Sequence, residues 1–229
     1  MHHVDAISSY SDVDRFNQFD KNEKGPADGK LVAKPLSAVF LGNSITLHGP
    51  APDIGWHHNN GMAASGTSTD YVHCLMRWLE VGEEKVVIAN VAYIERRPLA
   101  NTEIIDLIKN TFSSKSKLTI VQLGDNISND TELSSFVENA KLVLPLIRAN
   151  SEQVVMLSTW WTHAVKDSVI QQLCSIFGIA YIFIGDIFDA ITNEDRRTID
   201  YAHSGVDRHP KDWGMEQIAT RIHRTVQSD

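Results

Sequence analysis

The sequence predicts a three-layer α/β domain, doubly wound on a five-stranded parallel sheet. Two observations predict it. Five short, near-continuous apolar runs recur along the chain, "SAVFLG", "KVVIAN", "LTIVQLG", "QVVMLST" and "AYIFIG", and each is followed by a stretch with helical spacing. A strand that is apolar all round must be covered on both faces, and the cover available between successive runs is helix. At 229 residues and 42% apolar content the chain is long enough to bury one good-sized core.

In chain order, residues 1–35 are polar, rich in Asp, Asn, Lys and Gly, and show no sustained period, so they read as an arm or irregular cover. The domain runs from 36 to 229 with no Pro/Gly-rich linker, internal repeat or low-complexity segment to divide it. "SAVFLG" is the first strand. After it, "DYVHCLMRWLEVG" sets Tyr71, Cys74, Leu75, Trp78 and Leu79 on one helical face. "KVVIAN" leads to the helix "NTEIIDLIKNTF", where Asn101 stands at the position of an N-cap. "LTIVQLG" leads to "TELSSFVENAKLVLPLI", and "QVVMLST" to "KDSVIQQLCSIFG". "AYIFIG" comes last, before a helix with Met215, Ile218, Ala219, Ile222 and Val226 on one face and Asp212 as its expected cap.

The formal charge of −8 and the lack of a long basic run argue against nucleic acid as a partner. Two cysteines, Cys74 and Cys174, sit in apolar periodic stretches and read as free buried thiols, not as a disulfide framework or metal site. No run of about 18 apolar residues suggests a membrane span, and the N-terminus shows no basic-then-apolar leader. The expectation is a soluble chain with no membrane partner, cytoplasmic in preference to exported.

In an open α/β sheet ligands bind outside the carboxyl ends of the strands, near the switch in strand order. That edge collects Ser44, Ala92, Asn126, Trp160 with His163, and the loop "SGVDRHP" before the last helix. A serine hydroxyl attacks only if a base takes its proton and donors hold the resulting oxyanion. His209, followed by Pro210, is the candidate base. The candidate donors are the Ser44 N–H, the N–H at Ala92 and the Asn126 side chain. No G-x-S-x-G elbow and no Walker A loop occurs, which removes the usual signatures of α/β-hydrolases and P-loop nucleotide hydrolysis.

The blocks "FLGNSIT", "NVA", "LGDN" and "VDRHP", which span residues 39–210, resemble the first, second, third and fifth blocks of the SGNH (GDSL-type) hydrolases. The resemblance implies a flavodoxin-like sheet, a serine esterase working without cofactor or metal, Ser44 as nucleophile, His209 as base, and Ser44, Ala92 and Asn126 as the oxyanion hole. Three positions depart from the pattern. Asn43 replaces the acid before the nucleophile, an exchange expected to stabilise the turn. Ala92 replaces glycine, and its backbone N–H serves if φ stays negative. Val206 stands where the family's acid lies, three residues before the histidine, while Asp207 comes one residue later. In an extended segment residues i and i+2 point to the same side, so Asp207 is the expected orienting acid. A backbone carbonyl, Asp200 or a bare Ser-His dyad are the alternatives.

The long segment "LHGPAPDIGWHHNNGMAAS" is expected to lie over the site. Candidate substrate contacts are His48 and Trp56 within it, Glu95 in "IERRP", and Trp160 and His163 in "STWWTHA". His57 and His58 lack the Asp, Glu or Cys that would complete a metal site. Together these favour a small acyl ester, such as an acetyl ester, of a carbohydrate or other polar alcohol. A non-catalytic glycan- or metabolite-binding domain and an acyltransferase using the same serine stay open as rivals.

Overall fold

The five apolar runs form β1 (Ala38–Gly42), β2 (Val86–Asn90), β3 (Ser116–Gln122), β4 (Ser151–Leu157) and β5 (Ala180–Ile182) in a computed structural model that describes residues 37–190 and 201–227. The arm expected over residues 1–35 and Asp200 lie outside the described residues. All neighbouring strands pair in parallel in the order β2-β1-β3-β4-β5. The sheet is thus the five-stranded parallel one that the apolar runs predict. The chain leaves β1 for one side and returns to its other side as β3, so the switch in strand order lies between the ends of β1 and β3.

The helices are α1 (Tyr71–Trp78), α2 (Asn101–Thr111), α3 (Asp130–Ala149), α4 (Ala164–Phe177), α5 (Gly185–Ala190), α6 (Ser204–Asp207) and α7 (Asp212–Val226). Alternation along β1 divides the core in two. Val39 and Leu41 join Val121 and Met156 under Leu107 of α2, Phe136, Val143 and Ile147 of α3, and Ile170 and Leu173 of α4. Phe40 joins Ile120, Val155 and Leu157 under Tyr71 and Leu75 of α1, Ile187 of α5, and Met215, Ile218 and Ile222 of α7. The two free cysteines are buried in these layers. Asn101 and Asp212 each prove to be the first residue of their helix, not its cap. Asp212 instead accepts hydrogen bonds from the Ser65 amide at 2.7 Å and hydroxyl at 2.6 Å. Among the described residues no helix is long and apolar enough to cross a membrane.

The long segment after β1 is neither disordered cover nor regular structure. It makes 3-10 turns at Pro52–Ile54 and Thr67–Thr69 and builds a small core of its own from Ala51, Trp56, Met62 and Ala63, closed by Val206 of α6. Trp56 is fully buried, and its Nε1 donates to the His48 carbonyl at 3.0 Å. This patch, together with the Ser65–Asp212 bonds, ties the loop to the segment between α6 and α7. Removing a fully buried Trp side chain from a core typically costs about 3–5 kcal/mol. Trp56→Ala should therefore lower the unfolding free energy by roughly that amount in denaturant titrations.

Candidate active site

β1 ends in a turn that has no room for a side chain at Gly42. A Cβ there would lie 2.0 Å from Thr46 Oγ1 and 2.9 Å from the Gln122 carbonyl. The turn is closed by Thr46 and Leu47 amides donating to the Asn43 carbonyl and by the Ile45 amide donating to Asn43 Oδ1 at 3.0 Å. Thr46 Oγ1 and the Tyr71 hydroxyl, 2.7 Å apart, fasten it to α1. Ser44 stands on this turn, and its Oγ lies 2.8 Å from His209 Nε2.

His209 follows the single turn of α6 and donates its amide hydrogen to the Val206 carbonyl at 3.0 Å. Its Nδ1 lies 2.7 Å from the Gly205 carbonyl. A carbonyl only accepts, so Nδ1 carries the proton and the unprotonated Nε2 faces the Ser44 hydroxyl. Burial, with smaller contributions from His48 and Arg208, pushes the imidazole down to about 4. In the unfolded chain a histidine protonates near 6.5. Between those values the unfolded state binds the extra proton, so His209 subtracts stability as the pH falls from about 6.5 toward 4.

The orienting acid expected from the sequence is not where it was placed. Asp207 is helical, not extended, and residues two apart on a helix point to different sides. Its carboxylate meets Lys211 Nζ at 2.8 Å and accepts the Tyr201 amide at 3.3 Å, while the Gly205 carbonyl holds the imidazole. The backbone-carbonyl alternative is the arrangement found.

Of the three expected oxyanion donors, Ala92 also needs correction. Its φ is not positive, but its amide donates to Asn90 Oδ1 at 3.0 Å, an Asx-type bond two residues back at the entry to the 3-10 turn Ala92–Glu95. Asn126 is half-buried after β3, with one amide hydrogen given to Glu95 Oε2 at 2.6 Å and Oδ1 receiving Arg96 at 3.4 Å.

Glu95, expected as a substrate contact, is fully buried. It accepts from Asn43 Nδ2 at 3.3 Å and from the Gly124 amide through Oε1, besides Asn126 through Oε2. Burial pushes its carboxyl up to about 7, and neighbouring Asp125 adds to the rise. Asp125, itself pushed up by burial, accepts from the Trp160 and Trp161 amides, from Gln122 Nε2 and from Asn43 Nδ2. Asn43 thus stabilises its turn as expected and also spans two carboxylates.

The other expected contacts divide. Trp56 and Trp160 are fully buried and offer no face to a ligand; Trp160 Nε1 donates to the Arg208 carbonyl at 3.2 Å and so helps hold the His209 segment. His163 is exposed at the start of α4, where it serves as that helix's cap. His48 is half-buried, with Nδ1 2.6 Å from the Gly49 carbonyl, and near enough to His209 for its charge to oppose protonation there. Trp161, which the sequence placed beside Trp160 and His163 in "STWWTHA" as a possible aromatic face but not among the chosen contacts, is the one of the two tryptophans beside the base. Its ring stands edge-on to His209 at 5.1 Å, Arg208 lies over it at 5.9 Å, and its Nε1 is buried without a hydrogen-bond partner among the described residues. Alternation past the end of β4 was the available signal, since adjacent residues face opposite ways.

No family model matches the chain, and no curated protein sequence does. Solved structures do. A variant of Axe2, an acetyl xylan esterase from Geobacillus stearothermophilus, aligns over 84% of this chain and 96% of its own at 14% identity, with a TM-score of 0.53. A protein from Bacteroides uniformis assigned to the GDSL-like lipases aligns over 85% and 97% at 13% identity, with a TM-score of 0.56. Another from Desulfitobacterium hafniense, assigned to the G-D-S-L lipolytic family, aligns over 82% and 98% at 12% identity, with a TM-score of 0.53. At such identities the shared property is the fold, and the chain has the α/β architecture of the SGNH (GDSL-type) hydrolases.

His209 should titrate near pH 4 by NMR, well below a free histidine. Asp207→Asn should leave that midpoint where it is, because Gly205 and not Asp207 faces the ring.

Proposed function

We propose that the chain is a serine esterase that hydrolyses a small acyl ester, acetyl foremost, of a carbohydrate or other polar alcohol. The observation that carries this reading is the 2.8 Å contact of Ser44 Oγ with the unprotonated Nε2 of His209 at the switch point of the sheet. The fold shared with an acetyl xylan esterase supports the acyl and alcohol classes.

Ser44 attacks the ester carbonyl as His209 Nε2 takes the hydroxyl proton. The Ser44 amide and the second N–H of Asn126 stabilise the tetrahedral oxyanion; an amide group has two hydrogens, and Glu95 holds one. His209 returns its proton to the leaving alcohol, and water, deprotonated by the same nitrogen, releases the acid. The Gly205 carbonyl keeps the imidazole in the productive tautomer but brings no full negative charge to the imidazolium that forms. The wall beside the base is the Trp161 indole with the Arg208 guanidinium over it, a surface suited to sugar rings and polar alcohols. Asp207 turned toward Lys211 is the one observation that favours the non-catalytic rival, and labelling separates the two.

A fluorophosphonate probe should modify Ser44, mapped by mass spectrometry, and turnover of p-nitrophenyl acetate should vanish in Ser44→Ala. An unlabelled serine in folded protein would end the esterase reading. Asp207→Asn should lose less than about tenfold in kcat, against roughly 10⁴-fold where the triad aspartate of a serine protease is replaced.

A further inference from the structure

We propose that Glu95 is a positioning residue of the same site, holding the turn after β3 so that the remaining N–H of Asn126 is aimed at the ester oxygen; this rests on the esterase reading above. The carboxyl is fully buried, and every hydrogen bond to it comes from a segment flanking the site: Asn43 Nδ2 and the Gly124 amide on Oε1, Asn126 Nδ2 on Oε2. The two hydrogens of an amide lie in a fixed plane, so pinning one fixes the direction of the other. Arg96 on Asn126 Oδ1 at 3.4 Å sets which end of the amide faces Glu95. The turn requires glycine at 124, where φ is +121 and a Cβ would lie 2.9 Å from Ile170 and Thr159.

An ionised carboxylate offers lone pairs to all three donors and carries no proton to compete with them. A proton on the carboxyl removes the charge that strengthens this bond and leaves Oε2 a weaker acceptor, so the Asn126 N–H is held less firmly. Asn43 matches the ionised form: it donates to Glu95 at 3.3 Å and to Asp125 at 3.4 Å, where an acid at this position would add a third buried negative charge. The groups facing Glu95 are few. Asp125 on the β3–α3 turn opposes its ionisation, and Asn43 on the β1 turn is neutral. From α3 comes the neutral Asn139, which is bonded to the Ile94 and Arg97 carbonyls. On its own segment Arg96 is exposed and Arg97 is paired with Glu103. Burial dominates, and places the Glu95 transition near 7, far above that of His209 near 4. Activity should therefore fall on the acid side as Glu95, not His209, takes up its proton.

The test compares kcat and KM for p-nitrophenyl acetate, from acid to alkaline pH, in wild type, Glu95→Gln, Asn126→Ala and the double variant. The expected result is a wild-type acid limb near pH 7 that Glu95→Gln abolishes, with kcat lowered about 100-fold and KM unchanged, the size of losing one oxyanion donor. Because Glu95 acts through Asn126, the double variant should be no slower than Asn126→Ala alone. If Glu95→Gln does not fold, the limb near 7 must still be present in wild type and absent in Asn126→Ala. A wild-type profile and kcat in folded Glu95→Gln, or additive losses in the double variant, would overturn the proposal while fluorophosphonate labelling of Ser44 leaves the esterase reading standing. Absence of both turnover and labelling in wild type would overturn the two together.

Discussion

A hydrogen bond of 2.8 Å joins Ser44 to His209, residues 165 positions apart, and the rest of the molecule is arranged around making that contact possible. Neither residue is held by its own segment alone. Ser44 is fixed because β1 must end where Gly42 meets Thr46 and β3, and because Asn43 binds that turn from both its carbonyl and its side chain. His209 is fixed because Val206 is drawn into the small core beneath Trp56, the Arg208 carbonyl is held by Trp160, and Asp212 holds Ser65. The loop after β1 thus acts less as a ligand surface than as packing that presses the base against the nucleophile.

Burial sets the electrostatics of this edge. Taking a charge out of water is costly unless hydrogen bonds repay it. Glu95 and Asp125 sit close together with both carboxyl groups pushed upward, and among the described residues seven donor contacts, with Asn43 counted on each, surround them. Linkage gives the sign of their effect. Glu95 binds its proton more tightly folded, near 7, than unfolded, near 4.5, so its contribution to stability is full below 4.5 and is lost as the pH rises through 7. His209 acts in the opposite sense, through its charged form being the disfavoured one. The same burial that weakens His209 as a base keeps it neutral and ready to accept a proton.

Much of the frame was legible in the sequence. Strand runs such as "SAVFLG" read correctly because a strand covered on both faces is apolar at every position, and helical stripes such as Met215, Ile218 and Ile222 because a period near 3.6 reports one buried face. The site was legible only in part. Asp207 was misplaced because its segment was taken as extended, and one turn of helix changes which side a residue faces. Ala92 was counted as a free donor although the Asn two residues before it is placed to take its N–H in an Asx turn, a local signal that was not used. Trp56, Trp160 and Glu95 were taken for ligand contacts because residue type at a strand end does not tell whether the chain will later cover it.

What the sequence alone determined was the alternation of strands and helices, the edge at which polar groups collect, and the residue types able to do acyl chemistry there. Those follow from short-range rules, since apolar periodicity and turn residues act over a few positions. Which polar groups meet was decided only by tertiary structure. The meeting of His209 with Ser44, the burial of Glu95, the two hydrogen bonds of Asn43 to separate carboxylates and the place of Trp161 beside the base each depend on segments distant in the chain, and no local pattern encodes a distance of that kind.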